Sequence, residues 1–168
     1  PSNAFTMIGL NRLNNIEDCI RTILKDNIQG DFIETGVWRG GATIFMRALL
    51  KELGIKDKTV WLADSFKGLP KPNSKSYPAD EGIDLYNRPI LTCSLEEVQN
   101  NFRIFGLLDK QVQFLSGWFK DTLPIAPVKN LSLLRLDGDL YESTLIALEH
   151  LYPKLSVGGF VIIDDYNA

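Results

Sequence analysis

The chain has 168 residues, of which 45% are hydrophobic and 23% are charged, and its formal net charge is −3. This composition is typical of one globular domain, because the length suffices for a buried core but leaves no room for a second domain. Lysine and arginine are scattered and form no basic stripe, so we expect no nucleic-acid partner.

Cysteine spacing and the apolar runs indicate the compartment. Cys19 and Cys93 lie far apart without CxxC spacing, which favours two buried thiols under reducing conditions over a zinc site or a disulfide. No apolar run reaches the roughly 20 residues that a membrane span needs. We therefore predict one cytoplasmic domain over residues 1–168 without membrane contact, in which residues 1–6 are a tag or a disordered start.

The first half of the chain alternates helical and strand patterns. Apolar residues at helical spacing predict a helix over residues 8–25, and an apolar strand over residues 31–37 follows. A glycine pair then leads into a predicted helix over residues 42–53. A second predicted strand, over residues 59–64, begins about 30 residues after the first, which is the spacing of a βαβ unit.

The second half begins with a long loop. Residues 67–91 hold four prolines and show no clear periodicity, which is typical of a lid or a binding loop. Ser94 is predicted to cap a helix that ends near residue 105, with Glu97 in the capping-box position. Further patterns predict a helix over residues 143–151 and strands over residues 112–115, 131–136 and 160–163.

These strands are continuous apolar runs rather than alternating ones, which indicates that both of their faces are buried. The predicted fold is therefore α/β, with a doubly wound, mostly parallel sheet between helices. In such sheets ligands bind outside the carboxyl ends of the strands. Those ends are unusually acidic here, with Glu34, Asp64, Asp137, Asp139, Asp164 and Asp165.

A glycine-rich turn, Glu34-Thr35-Gly36-Val37-Trp38-Arg39-Gly40-Gly41, follows the first strand. Its glycines would let a ligand approach the backbone in front of a helix N-terminus. The alternative is a tight turn without any ligand. The third glycine of GxGxxG is missing and no Lys-Ser or Lys-Thr follows, so binding of a nicotinamide cofactor or a nucleoside triphosphate is disfavoured.

Two further strand ends are candidates for a nucleoside cofactor. Asp64 would accept both hydrogen bonds of a ribose diol; alternatively, it caps the backbone of Phe66 or Lys67 in a solvated loop. Trp118, which follows Gly117, either flanks an adenine ring or belongs to the core, and the sequence favours neither interpretation.

Two acidic pairs end neighbouring predicted strands, Asp137 with Asp139 and Asp164 with Asp165. Converging oxygen ligands suit Mg²⁺ or Ca²⁺, and packed carboxylates need a cation to offset their repulsion. Singly, each pair is better explained as a turn or a loop start, but their joint placement favours a metal site. His150 lies remote from the strand ends, so we interpret it as structural or solvent-facing, and no catalytic triad can be assembled from it.

Four sequence blocks together resemble a known family. They are ETGVWRGG at residues 34–41, ADSFKGLP at 63–70, LDGDLYEST at 136–144 and IDDY at 163–166. They closely resemble the macrocin O-methyltransferase family, and the similarity extends from about residue 7 to the last residue. This family methylates hydroxyls of deoxysugars in macrolide and aminocoumarin antibiotics and uses S-adenosylmethionine and Mg²⁺.

The resemblance implies a fold of the class I S-adenosylmethionine-dependent methyltransferase type and a role for each motif. Asp139 would be the general base, Asp137, Asp164 and Asp165 would bind the metal, and residues 70–91 would close over the sugar. The cofactor would be bound by Glu34, Thr35, Gly36, Val37, Arg39, Gly40, Gly41, Asp64, Ser65, Gly117, Trp118 and Asp137.

One departure from the family concerns the end of the chain. The family's sheet continues after the strand that ends near Ile163, so we expect its last two strands to be missing and the fifth strand to form an apolar edge. Such a chain would be a fragment, would pair with another chain, or would be inactive alone.

Other functions remain open beside transfer to a small sugar-containing acceptor. They are a non-catalytic module that only binds S-adenosylmethionine, and an O-methyltransferase for catechol-like acceptors. A dehydrogenase is disfavoured by the glycine turn. Assembly into homo-oligomers is an expectation from the resemblance alone.

Overall fold

A computed structural model describes residues 4–164, which form a parallel sheet with helices on both faces. Its strands are β1 Asp31–Thr35, β2 Val60–Asp64, β3 Val112–Ser116, β4 Leu131–Leu136 and β5 Leu155–Ile163. Its helices are α1 Leu10–Lys25, α2 Gly41–Glu52, α3 Leu95–Ile104, the short α4 Phe119–Thr122 and α5 Tyr141–Leu151. The predicted doubly wound α/β class is confirmed.

The strands are ordered β3-β2-β1-β4-β5 and every neighbouring pair is parallel. The chain leaves β1 on one side towards β2 and returns on the other side as β4, so the strand order reverses between β1 and β4. In register, Thr35 lies beside Ala63 of β2 and Leu136 of β4. The carboxyl ends of these three strands therefore meet, as a binding crevice requires.

Two apolar clusters, one on each face of the sheet, explain the continuous apolar strands. One cluster packs α1, α2 and α3 against one face, and the other packs α5 against the opposite face. All six residues of β4 are buried. Cys19 and Cys93 are buried and free, as the sequence predicted.

Local signals set several element ends. The predicted capping box is confirmed: the Glu97 amide donates to Ser94 Oγ at 3.2 Å, and the Ser94 amide donates to Glu97 Oε2 at 2.9 Å. The last strand begins at Leu155, earlier than predicted, because its pairing with β4 continues through a register shift. The predicted loop at residues 67–91 contains three single 3₁₀ turns, at Pro78–Asp80, Leu85–Asn87 and Pro89–Leu91.

Residues 4–6, which the sequence analysis assigned to a tag or a disordered start, contact the rest of the domain. The Gly41 amide donates to the Phe5 carbonyl oxygen at 2.9 Å, and the ring centroids of Phe5 and Phe105 lie 5.1 Å apart. In the part of the chain that the structure describes, no helix is both long enough and apolar enough to cross a lipid bilayer.

Candidate functional site

A cavity of about 280 Å³ lies at the carboxyl ends of β1, β2 and β4. It is lined by six of the residues that we proposed for the site from the sequence: Gly36, Asp64, Ser65, Trp118, Asp137 and Asp139. Other proposed residues do not line it: Glu34, Thr35, Val37, Arg39, Gly40, Gly41, Gly117 and Asp164. Asp165 lies outside the described residues.

Gly36 brings the ends of β1 and β4 together. It has φ +84°, and a Cβ built on it would lie 1.8 Å from the carbonyl oxygen of Asp137. The Asp137 amide donates to the Thr35 carbonyl oxygen at 2.9 Å. Only glycine allows this approach, so the turn sits directly beside the Asp137 backbone.

Trp38 and Arg39 of the glycine turn contact two distant segments of the chain. Trp38 lines the cavity, and its indole N–H donates to the Ile90 carbonyl oxygen at 2.8 Å. The Arg39 guanidinium lies 4.6 Å from the Trp38 ring centroid and donates to the Ala4 carbonyl oxygen at 3.0 Å. The turn is therefore fixed by the loop at Ile90 and by the N-terminal segment.

Asp64 joins the end of β2 to the glycine turn. Its Oδ2 accepts from the Val37 amide and its Oδ1 from the Phe66 amide, both at 2.8 Å. Burial raises the pKa of the Asp64 carboxyl, while these amide hydrogen bonds act in the opposite direction. The capping of Phe66 that we considered as an alternative is present, but the carboxylate also lines the cavity.

Ser65 and the end of β3 complete this side of the cavity. The Ser65 hydroxyl donates to the Gly68 carbonyl oxygen at 2.6 Å and accepts from the Lys67 amide at 3.0 Å. Gly117 has φ +147°, and its amide donates to the Asp64 carbonyl oxygen at 2.9 Å. The chain turns there, and the half-buried Trp118 lines the cavity.

A buried arginine that sequence analysis missed organises the acidic strand ends. Arg135 is 1% exposed, and its guanidinium pairs with Glu34, with Asp137 at 2.8 Å and with Asp164 at 2.5 Å. Burial raises the pKa of the Glu34 carboxyl to about 7, although Arg135 opposes this. Burial lowers the pKa of Arg135, but the three carboxylates outweigh burial and raise it, so Arg135 stays charged.

The charged side chains around Arg135 and Asp164 lie where the metal site was predicted. Asp164 also pairs with Arg12 at 2.5 Å, and both line a second cavity of about 260 Å³ together with Arg135. Within residues 4–164, no three His, Cys, Asp or Glu side chains are arranged to hold a metal ion. Three carboxylates, of Glu34, Asp137 and Asp164, face the guanidinium groups of Arg135 and Arg12, so the two arginines offset most of the negative charge at this point.

Asp139 follows β4, which flanks β1 on the other side from the Asp64 strand β2, and it lines the main cavity. Its backbone has φ +59°, a conformation rare for residues other than glycine, asparagine and aspartate. The Leu140 amide donates to the Gly138 carbonyl oxygen at 2.7 Å, so the chain turns tightly and α5 starts at Tyr141. This turn brings Asp139 to the cavity wall.

Sequence analysis also missed other residues of the cavity. A single arginine inside the apolar run of β4, two positions before Asp137, was a visible signal for Arg135. No comparable signal marked the residues contributed by distant segments. Among them are Met7 before α1 and Glu142, Ser143 and Ile146 of α5, whereas Lys71 and Asn73 belong to the loop that was expected to close over the sugar.

Comparison with known proteins agrees with this geometry. The model of the macrocin O-methyltransferase (TylF) family matches residues 1–168. Among solved structures, the O-methyltransferase NovP superposes with a TM-score of 0.97 at 55% identity, covering 99% of this chain and 69% of NovP. The calicheamicin methyltransferase CalS11, at 22% identity and a TM-score of 0.70, shares the fold.

Two curated relatives extend the comparison. Demethyldecarbamoylnovobiocin O-methyltransferase of Streptomyces niveus is 55% identical over 99% of this chain and 64% of its own length. Mycinamicin III 3″-O-methyltransferase of Micromonospora griseorubida is 54% identical over 99% of this chain and 66% of its own length. The chain thus spans slightly less than two thirds of each relative, and it belongs to the macrocin O-methyltransferase family.

Proposed function

We propose that this chain carries the active site of an S-adenosylmethionine-dependent O-methyltransferase for a sugar hydroxyl of an antibiotic-like small molecule. One observation carries the proposal: a single cavity joins the glycine turn and Asp64 on one side with Asp137 and Asp139 on the other. The relatives named for methylation of such molecules support the substrate class. We further propose that the protein works in the cytoplasm.

The glycine turn, Asp64 and Trp118 would bind the cofactor. Gly36 leaves room for a ligand beside the backbone, and Asp64 would hold the ribose diol. Both Asp64 oxygens already accept backbone amides, so the ribose hydroxyls would share these oxygens with the Val37 and Phe66 amides. Trp118 would pack against the adenine, because it lines the same side of the cavity.

Asp139 would act as general base. The cofactor supplies a methyl group on a sulfonium sulfur, which keeps the electron pair of the broken C–S bond. Asp139 would take the proton of the acceptor hydroxyl while the sugar oxygen forms its bond to the methyl carbon. The products are a methyl ether, S-adenosylhomocysteine and a protonated Asp139, and positioning of the two substrates supplies much of the rate.

Asp137, Asp164 and Asp165 would hold Mg²⁺. The support is chemical: carboxylates follow the adjacent ends of β4 and β5, and their oxygens are the ligand type that Mg²⁺ prefers. The ion would supply Lewis acidity that lowers the pKa of a bound sugar hydroxyl. Arg135 would hold the Asp137 and Asp164 carboxylates in place from the buried side.

Calorimetric titration with S-adenosylhomocysteine, with and without Mg²⁺, tests the cofactor pocket. Methyl transfer is then assayed with mycinamicin III and demethyldecarbamoylnovobiocin as probe acceptors. We expect binding, and transfer that falls at least 100-fold in Asp139→Asn while S-adenosylhomocysteine affinity stays within about twofold. Binding without any transfer would favour a non-catalytic module, and absence of binding would reject the pocket.

The transfer assay, run with and without Mg²⁺, tests the metal. We expect Asp137→Ala to lose the Mg²⁺ dependence of transfer while S-adenosylhomocysteine still binds. Unchanged Mg²⁺ dependence in this variant and in Asp164→Ala would reject the metal assignment.

A further inference from the structure

Asp80 is a fully buried carboxylate in an otherwise largely exposed loop. Its side chain is 0% exposed, and it ends the 3₁₀ turn Pro78–Asp80. The Asp80 amide donates to the Tyr77 carbonyl oxygen at 3.0 Å, which fixes the turn. A charged group in this position must have strong partners, because burial of an unpaired carboxylate is costly.

The partners of Asp80 are the first two amides of α5. The Tyr141 amide donates to Oδ1 at 2.6 Å, and the Glu142 amide donates to Oδ2 at 3.1 Å. The residue before the helix, Leu140, has no side-chain oxygen and cannot cap it. A residue about 60 positions upstream therefore caps α5, and the positive helix end stabilises its negative charge.

This contact ties together two walls of the cavity. One wall is the loop, which contributes Lys71 and Asn73, and the other is the start of α5 with Glu142. Tyr141 follows Asp139 by two residues, so a shift of the helix start would move the Asp139 turn. A second contact supports the junction, since the ring centroids of Tyr77 and Tyr141 lie 6.3 Å apart.

We propose that Asp80 is a positioning residue that locks the loop onto α5 and thereby aligns the acceptor side of the cavity with Asp139. The inference rests on the proposed methyl transfer. Asp80 itself does not line the cavity, so it would act through the loop and the start of α5. Its removal should impair the acceptor side while the cofactor side, held by Gly36, Asp64 and Val37, stays intact.

Three variants test the lock. Asp80→Ala removes both acceptors, and Asp80→Asn keeps one carbonyl oxygen for the helix amides. Asp84→Ala is the matched control, because Asp84 lies in the same loop with a 69% exposed side chain and only a 3.6 Å pair with Arg88. Hydrogen exchange measures the backbone of residues 67–91 and of residues 141–145 in each variant.

We expect Asp80→Ala to raise exchange at least tenfold in both segments, Asp80→Asn to raise it less, and Asp84→Ala to leave it unchanged. S-adenosylhomocysteine affinity should stay within about twofold in all three. Unchanged exchange in Asp80→Ala would overturn the lock. A loss of S-adenosylhomocysteine affinity of tenfold or more in this variant would also overturn it, because it would indicate general unfolding.

Kinetics with the acceptor that the wild-type chain methylates give the functional readout. We expect a kcat at least tenfold lower or an acceptor KM at least tenfold higher in Asp80→Ala, an unchanged cofactor KM and partial recovery in Asp80→Asn. Wild-type kinetics in Asp80→Ala would overturn the positioning role. If the wild-type chain transfers no methyl group, the proposed function fails, while hydrogen exchange still decides whether the lock exists.

Discussion

Single residues decide whether the strand ends can meet. Gly36 and Gly82 have almost the same φ, +84° and +81°, but different surroundings. A Cβ on Gly36 would collide with the Asp137 carbonyl oxygen at 1.8 Å, whereas a Cβ on Gly82 would meet nothing within 4 Å. The comparison separates the cost of a left-handed backbone from the cost of a collision.

We therefore expect Gly36→Ala to destabilise the protein by more than about 3 kcal/mol, since backbone strain and displacement of β4 add together. Gly82→Ala should cost only about 1–2 kcal/mol. Denaturant unfolding gives both values. Equal losses would mean that the Asp137 backbone moves away at no cost.

Glu34 provides a second test at this scale, through pH. Its folded pKa of about 7 lies above the ordinary value of 4.5, so its stabilising contribution is complete below pH 4.5 and disappears as the pH rises through 7. Relative to Glu34→Gln, the wild type should lose up to about 1.4 kcal/mol per pH unit in this window. Unfolding at pH 5 and pH 8 measures the difference.

The control for this pH test is Glu96→Gln, at an exposed position in the first turn of α3. Its unfolding free energy should follow the wild type at both pH values. If the unfolding free energies of wild type and Glu34→Gln changed by the same amount between pH 5 and pH 8, the pKa of Glu34 in the fold would be the ordinary one.

At the level of elements, α3 packs behind the glycine turn, on the side proposed for the cofactor. The Asn101 side-chain amide donates to the Arg39 carbonyl oxygen at 2.9 Å, and a Cβ on Gly40 would lie 2.9 Å from Val98 Cγ1. The helix is itself well anchored, because both bonds of its capping box form. The glycine turn is thus held by a helix that contributes no residue to the cavity.

Asn101→Ala should weaken S-adenosylhomocysteine binding about fivefold, the equivalent of one lost hydrogen bond of roughly 1 kcal/mol. Asn100→Ala is the matched control, because Asn100 is the exposed neighbour on the same helix. Calorimetry measures both dissociation constants. The same affinity in both variants would mean that the turn keeps its shape without the Asn101 hydrogen bond.

At the level of the whole molecule, the cavity brings together segments that lie far apart in the sequence. Its residues come from the segment before α1, the ends of β1, β2 and β4, the loop, and the helices α4 and α5. A ligand that fills it stabilises the native state as a unit, because every one of these segments must be in place for binding.

S-adenosylhomocysteine at 100 times its dissociation constant should therefore raise the free energy of unfolding by about 2.7 kcal/mol. In Asp64→Ala we expect most of this gain to vanish at the same ligand concentration, because the proposed ribose contact would be lost. Thermal unfolding with and without ligand measures the gain. An equal gain in wild type and variant would exclude Asp64 from the cofactor site.

Several features followed from local sequence alone. Apolar periodicity and run length predicted all five strands and the longer helices, because the buried face of each element requires apolar residues at a regular spacing in the sequence. Ser94 and Glu97 predicted their capping box because the bonds involved are only three residues apart. The acids at the strand ends could also be found, since in a parallel sheet they must share one edge.

Tertiary structure decided how those acids are neutralised and which walls surround the cavity. Arg135 pairs with Glu34 across 101 positions of sequence, and Asp80 caps a helix that starts 61 positions later. No periodicity or spacing encodes such pairs, because they depend on which strands become neighbours and on where a loop folds back. The sequence by itself determined the fold class and the family, while the packing of distant segments determined the contacts that position the site.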